Sequence, residues 1–146
     1  MRTITSSITV SAVALAVAAG SALVGHGQAP RTVWDGVYSD AQADRGTKLY
    51  AEQCSSCHGQ EMKGGPGAPG LSGPEFQFSW DKKAVGALFD YAKMFMPPGQ
   101  AGVLTDPQYA DIVAALLKGN GFPAAMVELP STKDALDQIT VLATKP

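Results

Sequence analysis

The sequence has few cysteines, few histidines and no basic block, and each shortage disfavours a class of function. Its 146 residues contain two cysteines, Cys54 and Cys57, and two histidines, His26 and His58. A structural zinc site needs four ligands, and Cys54, Cys57 and His58 supply at most three. Residues 30–146 contain 10 lysines and arginines and 13 aspartates and glutamates, which gives a net charge of −3. This mildly acidic balance argues against nucleic acid as a partner.

The first 29 residues are almost without charge. Arg2 precedes an uncharged stretch over residues 3–25, whose apolar centre is rich in alanine and valine. A short basic start, an apolar run and small residues after it are typical of a secretory signal peptide. We therefore expect residues 1–29 to be a signal peptide and the protein to be periplasmic. The alternative is a retained membrane anchor through residues 4–24, since this run is at the short end of what crosses a bilayer.

Strand signals are absent as well, because no stretch alternates convincingly between apolar and polar residues. Helical spacing of apolar residues instead predicts three main helices, over residues 40–53, 81–94 and 105–118. Capping boxes that begin at Ser39 and Thr105 mark the starts of the first and third helices. We therefore expect an all-α fold.

A long loop separates the first two predicted helices. Residues 59–74 hold six glycines and three prolines, which excludes regular structure there. A loop of this length in a small domain is explained if it wraps a ligand. We expect one domain over residues 30–130, followed by a C-terminal tail over 131–146 with one short helix.

The cysteines form the pentapeptide C-S-S-C-H at residues 54–58. A redox-active C-x-x-C normally follows a strand and opens a helix, whereas this one ends a predicted helix in a chain without a predicted sheet. Covalent haem attachment requires this pentapeptide, because both thiols bond to the porphyrin and the adjacent histidine binds the iron. Haem attachment is therefore favoured over zinc or a catalytic dithiol.

A haem held this way leaves its sixth iron position to be filled, and His58 is the one histidine after residue 29. Met62 lies too close in sequence to His58 to reach the opposite haem face, and Met126 lies in the tail. Met94 falls on a predicted helix, where core packing is the simpler role. Met96 follows a helix end and precedes two prolines that stiffen the chain, so it is the favoured ligand. Met94, Met126 or an open site remain as alternatives.

Taken together, these motifs resemble a class I cytochrome c. The resemblance covers about residues 33–130 and lies in C-S-S-C-H-G, the Gly/Pro loop, the helix leading to M-P-P-G, and L-T-D-P-Q-Y-A-D-I-V-A-A-L-L-K-G-N-G-F-P-A. The arm V-W-D-G-V-Y at residues 33–38 resembles small bacterial cytochromes c that are partners, subunits or fused domains of pyrroloquinoline quinone-dependent alcohol dehydrogenases. The implied fold has three main helices around one covalently bound haem c.

The resemblance implies a role for each residue of the motif. Cys54 and Cys57 would form thioether bonds, and His58 and Met96 would be the axial ligands of the iron. The carbonyl of Pro69 would receive the ring N–H of His58 and so orient it.

Three further positions follow from the same resemblance. Trp80 would lie near a haem propionate, although core packing explains it equally well. Gly46 and Tyr109 would mark the crossing of the first and last helices. Residues 99–102 depart from the usual pattern, because an alanine stands where a proline is common, which puts the rigidity of that loop in doubt.

The implied function is electron transport by a monohaem carrier rather than enzymatic catalysis. Its partners would be periplasmic redox proteins: a quinoprotein dehydrogenase as donor and a terminal oxidase or another cytochrome as acceptor. A haem enzyme or gas-binding protein with an open sixth position is the rival function, and a permanent subunit of a dehydrogenase is a third reading. A membrane is expected as a partner only if the N-terminal segment is retained. The candidate haem lining comprises Leu71, Phe76, Phe78, Leu88, Phe89, Phe95 and Leu104.

Overall fold

A computed structural model describes residues 30–146. The predicted signal peptide over residues 1–29 lies outside the described residues. The described part of the chain is mostly helical, and the predicted all-α class is confirmed. Its elements are β1 (Arg31–Thr32), a 3-10 turn (Val33–Asp35), α1 (Asp40–Gln53), α2 (Ser55–His58), α3 (Pro74–Trp80), α4 (Val85–Phe95), α5 (Asp106–Gly119), α6 (Lys133–Leu136) and β2 (Ile139–Thr140). None of the helices between residues 30 and 146 is both long and apolar enough to cross a membrane.

Helices α1 and α5 form the centre of the fold and cross at Gly46. A methyl group added there would overlap the carbonyl oxygen of Asp111, so only glycine permits this approach. Beside the crossing, Arg45 donates two hydrogen bonds of 2.9 Å to the buried carboxylate of Asp111. The close approach that Gly46 predicted is therefore present, and the contact provides the packing that offsets the low helix propensity of glycine.

The two predicted capping boxes differ in the structure. Thr105 and Gln108 form the complete box, with each side chain bonded to the other residue's backbone. Ser39 accepts a hydrogen bond from the N–H of Gln42 at 3.1 Å, but the side chain of Gln42 does not return the bond. It bonds instead to both backbone groups of Leu129, at 3.0 and 2.6 Å. A buried tertiary partner has replaced the local one.

The second predicted helix starts four residues too early. Residues 74–80 form a separate helix, α3, with Pro74 in its first turn, where the missing N–H costs nothing. Asp81 ends α3, and Lys82 has a φ of +62°, which breaks the helical backbone. Helix α4 therefore begins only at Val85. The apolar residues whose spacing predicted this helix all lie within α4.

The C-terminal segment is part of the packed core. Leu136, Ile139 and Val141 are at most 2% exposed. Strand β2 pairs in parallel with β1, so the prediction of no sheet was wrong for these four residues. Two-residue strands are too short to show alternation, which is why the sequence pattern missed them.

Candidate functional site

A cavity of about 650 Å³ lies between the helices and the Gly/Pro loop. Its volume is within the range of small-molecule and cofactor sites. The six residues predicted for the site all line it: Cys54, Cys57, His58, Pro69, Trp80 and Met96. These residues are spread over more than forty positions of the sequence, and the fold brings them together.

The pentapeptide follows α1 directly and forms its own turn. Cys54 ends α1, with its N–H bonded to the carbonyl of Tyr50 at 2.9 Å, and α2 begins at the next residue. The Ser55 hydroxyl donates to the carbonyl of Ala51 at 2.7 Å and ties this turn back to α1. Cys54 is half-buried and Cys57 is exposed, while His58 is 7% exposed. The turn thus presents both thiols and the imidazole to one cavity.

The environment of the thiols does not favour redox catalysis. Both cysteines are free thiols. Burial, together with the charge on the neighbouring Cys57 thiolate, raises the pKa of the Cys54 thiol to about 11. Thiol oxidoreductases require a lowered pKa at the attacking cysteine. Among residues 30–146, no cluster of three or more His, Cys, Asp and Glu is arranged to hold a metal ion.

His58 is oriented by the Gly/Pro loop. Its Nδ1–H donates to the carbonyl oxygen of Pro69 at 2.8 Å, the contact that the resemblance implies. This bond assigns the proton to Nδ1 and leaves Nε2 with a free lone pair. Gly70, the next residue, donates its N–H to the carboxylate of Glu75 on α3 at 2.7 Å. Helix α3, which sequence reasoning missed, therefore helps to hold the carbonyl that orients His58.

The loop approaches the pentapeptide very closely at Gly65. A methyl group added to Gly65 would lie 2.6 Å from the carbonyl oxygen of Cys57. Since real Cβ atoms are not found at that distance from a backbone oxygen, a larger residue would push the loop outward. The glycine content of the loop thus serves its close packing around the cavity.

Met96 is the first residue after α4. Its N–H donates to the carbonyl of Ala92 at 2.9 Å, and its carbonyl accepts a hydrogen bond of 3.0 Å from the hydroxyl of Tyr109. Tyr109 also accepts a bond of 3.1 Å from Gly102, and its ring packs edge-on against Phe89. The polar contacts of Tyr109 are thus with the Met96 loop.

The other three described methionines lie outside the cavity lining. Met94 is 57% exposed and Met126 is fully exposed. Met62 is buried, with its sulfur close to Gly119 of α5. Met96 is therefore the one thioether that lines the cavity with His58.

Two of the seven predicted apolar lining residues, Leu71 and Leu88, do line the cavity. Phe76 and Phe89 are buried in the core instead. For these two residues the prediction was wrong because apolar character indicates burial but not the object that the side chain packs against. Phe78 and Phe95 are 92% and 53% exposed, and Leu104 packs on the core from its edge.

Several lining residues were not predicted. The larger ones are Tyr50, Lys83, Tyr91, Ile112 and Leu116. A signal for four of them exists. Ile112 and Leu116 belong to the apolar stripe of α5, Tyr50 belongs to that of α1, and Tyr91 lies at helical spacing from Leu88 and Phe95 on α4. Lys83 precedes α4 and carries no such signal.

Trp80 forms one edge of the cavity. Its ring lies 5.9 Å from that of Tyr91 in a T-shaped arrangement, and the Nζ of Lys83 lies 5.3 Å from the Trp80 ring centre. Within the described residues, Lys83 is the only lysine or arginine that lines the cavity. Trp80 therefore contributes to the cavity wall and not to the core alone.

Comparisons with known proteins agree with this geometry. The family model described as "Cytochrome C oxidase, cbb3-type, subunit III" matches residues 41–114, about half of the chain and a range that contains all six predicted site residues. The solved sulfane dehydrogenase SoxCD from Paracoccus pantotrophus is similar, with 27% identity and a TM-score of 0.50. That match covers 67% of this chain and 52% of the solved chain, so this chain spans about half the length of that relative. No curated protein matches the chain.

Proposed function

The chain belongs to the cytochrome c family described as cbb3-type cytochrome c oxidase subunit III, and from that membership we propose that it is a periplasmic monohaem electron carrier. The membership and the fold make it a class I c-type cytochrome, whose function is haem-based electron transfer. The proposal adds one covalently attached haem, its two axial ligands, the location and the class of partner.

One observation carries the proposal: His58 and Met96 line the same cavity as both cysteines. The chemistry of this donor set fits haem c, because it combines two thiols, an imidazole with a free Nε2 and a thioether. Burial also fits, since a porphyrin needs apolar walls, and Leu71, Leu88, Ile112 and Leu116 supply them. The mostly apolar cavity would surround a bound ring with apolar side chains.

Each ligand has its own support in the chain. Pro69 holds the ring of His58 in one tautomer, which keeps Nε2 available for the iron. Tyr109 holds the backbone of Met96, so the chain that carries the thioether is already in place when the haem binds. Bound haem iron supplies one-electron transfer at this site. A thioether ligand and apolar burial both favour the ferrous state and so raise the reduction potential.

Two protein ligands would leave no iron position for a substrate, so an electron carrier is favoured over a haem enzyme or gas-binding protein. The donor would be a periplasmic dehydrogenase and the acceptor a terminal oxidase or another cytochrome. The similarity to a protein described as a sulfane dehydrogenase supports a dehydrogenase as the donor class. Both a free carrier and a permanent subunit are compatible with this proposal, and co-purification with a larger dehydrogenase would identify the subunit.

A pyridine haemochrome spectrum and an intact mass measurement test the proposal together. We expect one haem per chain, attached through two thioether bonds, and a mature mass that lacks residues 1–29. Acid extraction should leave the haem on the protein, whereas Cys54→Ser with Cys57→Ser should not retain it. A wild-type protein without haem, or with haem that is fully extracted by acid, would contradict the proposal.

A further inference from the structure

The C-terminal segment over residues 139–143 lies along the backbone that connects α3 to α4. The N–H of Lys82 donates to the carbonyl of Val141 at 2.8 Å, and the N–H of Val141 donates to the carbonyl of Lys83 at 2.9 Å. Val141 itself is completely buried. Lys83 lines the cavity, so this segment supports part of the cavity wall from behind.

Asp81 makes a third connection to the same segment. Its Oδ1 accepts a hydrogen bond of 2.8 Å from the N–H of Ala143, which is 62 residues away in the sequence. The backbone N–H of Asp81 bonds to the carbonyl of Gln77 and ends α3 at Trp80. A single side chain therefore links the C-terminal segment to the helix end that carries Trp80.

The N-terminal arm holds the segment on its other side. Strand β1 pairs with Ile139 and Thr140, and the indole N–H of Trp34 donates to the carbonyl of Leu142 at 3.0 Å. The segment is thus clamped between the arm and the cavity wall. The segment that was predicted to be a tail therefore packs between the N-terminal arm and the wall of the cavity.

The backbone of Lys82 is strained in a way that requires such support. Its φ of +62° lies in the left-handed region, which is unfavourable for a residue with a side chain. Such a conformation persists where the surrounding structure fixes it, and it is frequent at functional sites. The bonds from Val141 to Lys82 and Lys83 supply that constraint on both sides of the strained peptide.

We propose that Asp81 and the segment over residues 139–143 position the Trp80–Lys83 wall and thereby limit the access of water to the haem. This inference rests on the proposed function, because the wall can tune a potential only if the cavity holds haem. A closed wall keeps the surroundings of the iron apolar, which disfavours the more highly charged ferric state and raises the potential. Asp81 is a positioning residue here, since it acts through Trp80 and Lys83.

The test compares Asp81→Ala with Asp81→Asn in the haem-loaded protein. Both variants lose the negative charge, but only asparagine keeps an oxygen that can accept the bond from Ala143. At the midpoint potential of the wild type, we expect the ratio of reduced to oxidised protein to be roughly threefold lower in Asp81→Ala than in Asp81→Asn, because water reaches the haem. Asp134→Ala, at an exposed position of α6, is the control and should behave like the wild type.

Two further measurements distinguish a change in the cavity wall from a change at the iron ligands. Hydrogen exchange at the amides of Val141 and Ala143 should be faster in Asp81→Ala than in Asp81→Asn. The sulfur-to-iron charge-transfer band should persist in both variants, because Met96 is held from α5. Equal reduction potentials in Asp81→Ala and Asp81→Asn would overturn the inference. The contradiction would be clearest if hydrogen exchange were still faster in Asp81→Ala, because the segment would then have loosened without any effect on the haem. Failure of the proposed function would be visible earlier, as a wild-type protein without haem.

Discussion

The hydroxyl of Tyr109 donates a hydrogen bond of 3.0 Å to the carbonyl oxygen of Met96 and accepts one of 3.1 Å from the N–H of Gly102. Tyr109 is 2% exposed. It belongs to α5, whereas Met96 follows α4, so one buried side chain fixes the proposed ligand loop to a different helix. The position of the thioether is thereby coupled to the packing of the central helices.

Replacing Tyr109 with phenylalanine should loosen this loop without changing any residue of the donor set. The variant leaves two backbone groups without their partner, so we expect the free energy of unfolding to fall by about 1–2 kcal/mol. We also expect the charge-transfer band of the ferric protein to disappear at a lower temperature than in the wild type. Urea unfolding and a thermal series of ferric spectra measure the two effects. Gln100→Ala, at an exposed position of the same loop, should show neither effect. An unchanged band in Tyr109→Phe would argue against the coupling.

Gly46→Ala should strongly destabilise the protein. The added methyl group would overlap the carbonyl of Asp111, and backbone cannot move aside as a side chain can. We expect a loss of about 3 kcal/mol or more in the free energy of unfolding. Gly119→Ala is the matched control, since its methyl group would meet only the flexible end of Met62. Similar losses in the two variants would show that the α1–α5 contact is less close than described.

Gln42→Leu should release the chain that follows α5. Gln42 is 2% exposed and satisfies both backbone groups of Leu129. Leucine cannot replace these bonds, and the cost of two unpaired buried groups should lower the free energy of unfolding by about 2 kcal/mol or more. Chemical denaturation measures this loss. Gln60→Leu, at an exposed position, should change stability very little, and equal values for the two variants would refute the role of Gln42.

Features of the helices that depend on neighbouring residues were predicted correctly from the sequence. Features that depend on contacts between distant residues were not. Thr105 and Gln108 cap α5 as expected because both partners lie within one turn. Gln42 is drawn away from its local box by Leu129, which lies 87 residues later. The break at Lys82 depends on bonds to Val141, another partner distant in sequence. No local pattern contains these contacts.

The same distinction applies to the site. The pentapeptide and the methionine before two prolines are chemical motifs, so they indicated Cys54, Cys57, His58 and Met96 without knowledge of the fold. The cavity wall at Lys83 and the support of Met96 by Tyr109 depend on how helices meet, which spacing alone does not give. Phe78 illustrates the limit, because an aromatic in a plausible position is 92% exposed.

The axial ligand pair can be decided by the ferric absorption spectrum of the wild type, Met96→Ala and Met94→Ala. Thioether ligation gives a weak long-wavelength charge-transfer band, and we expect it in the wild type and in Met94→Ala but not in Met96→Ala. Ferrous Met96→Ala should also bind carbon monoxide readily, because its sixth position is open. A wild type that lacks the band and binds carbon monoxide readily would contradict the proposed carrier, and loss of the band in Met94→Ala alone would contradict the ligand assignment.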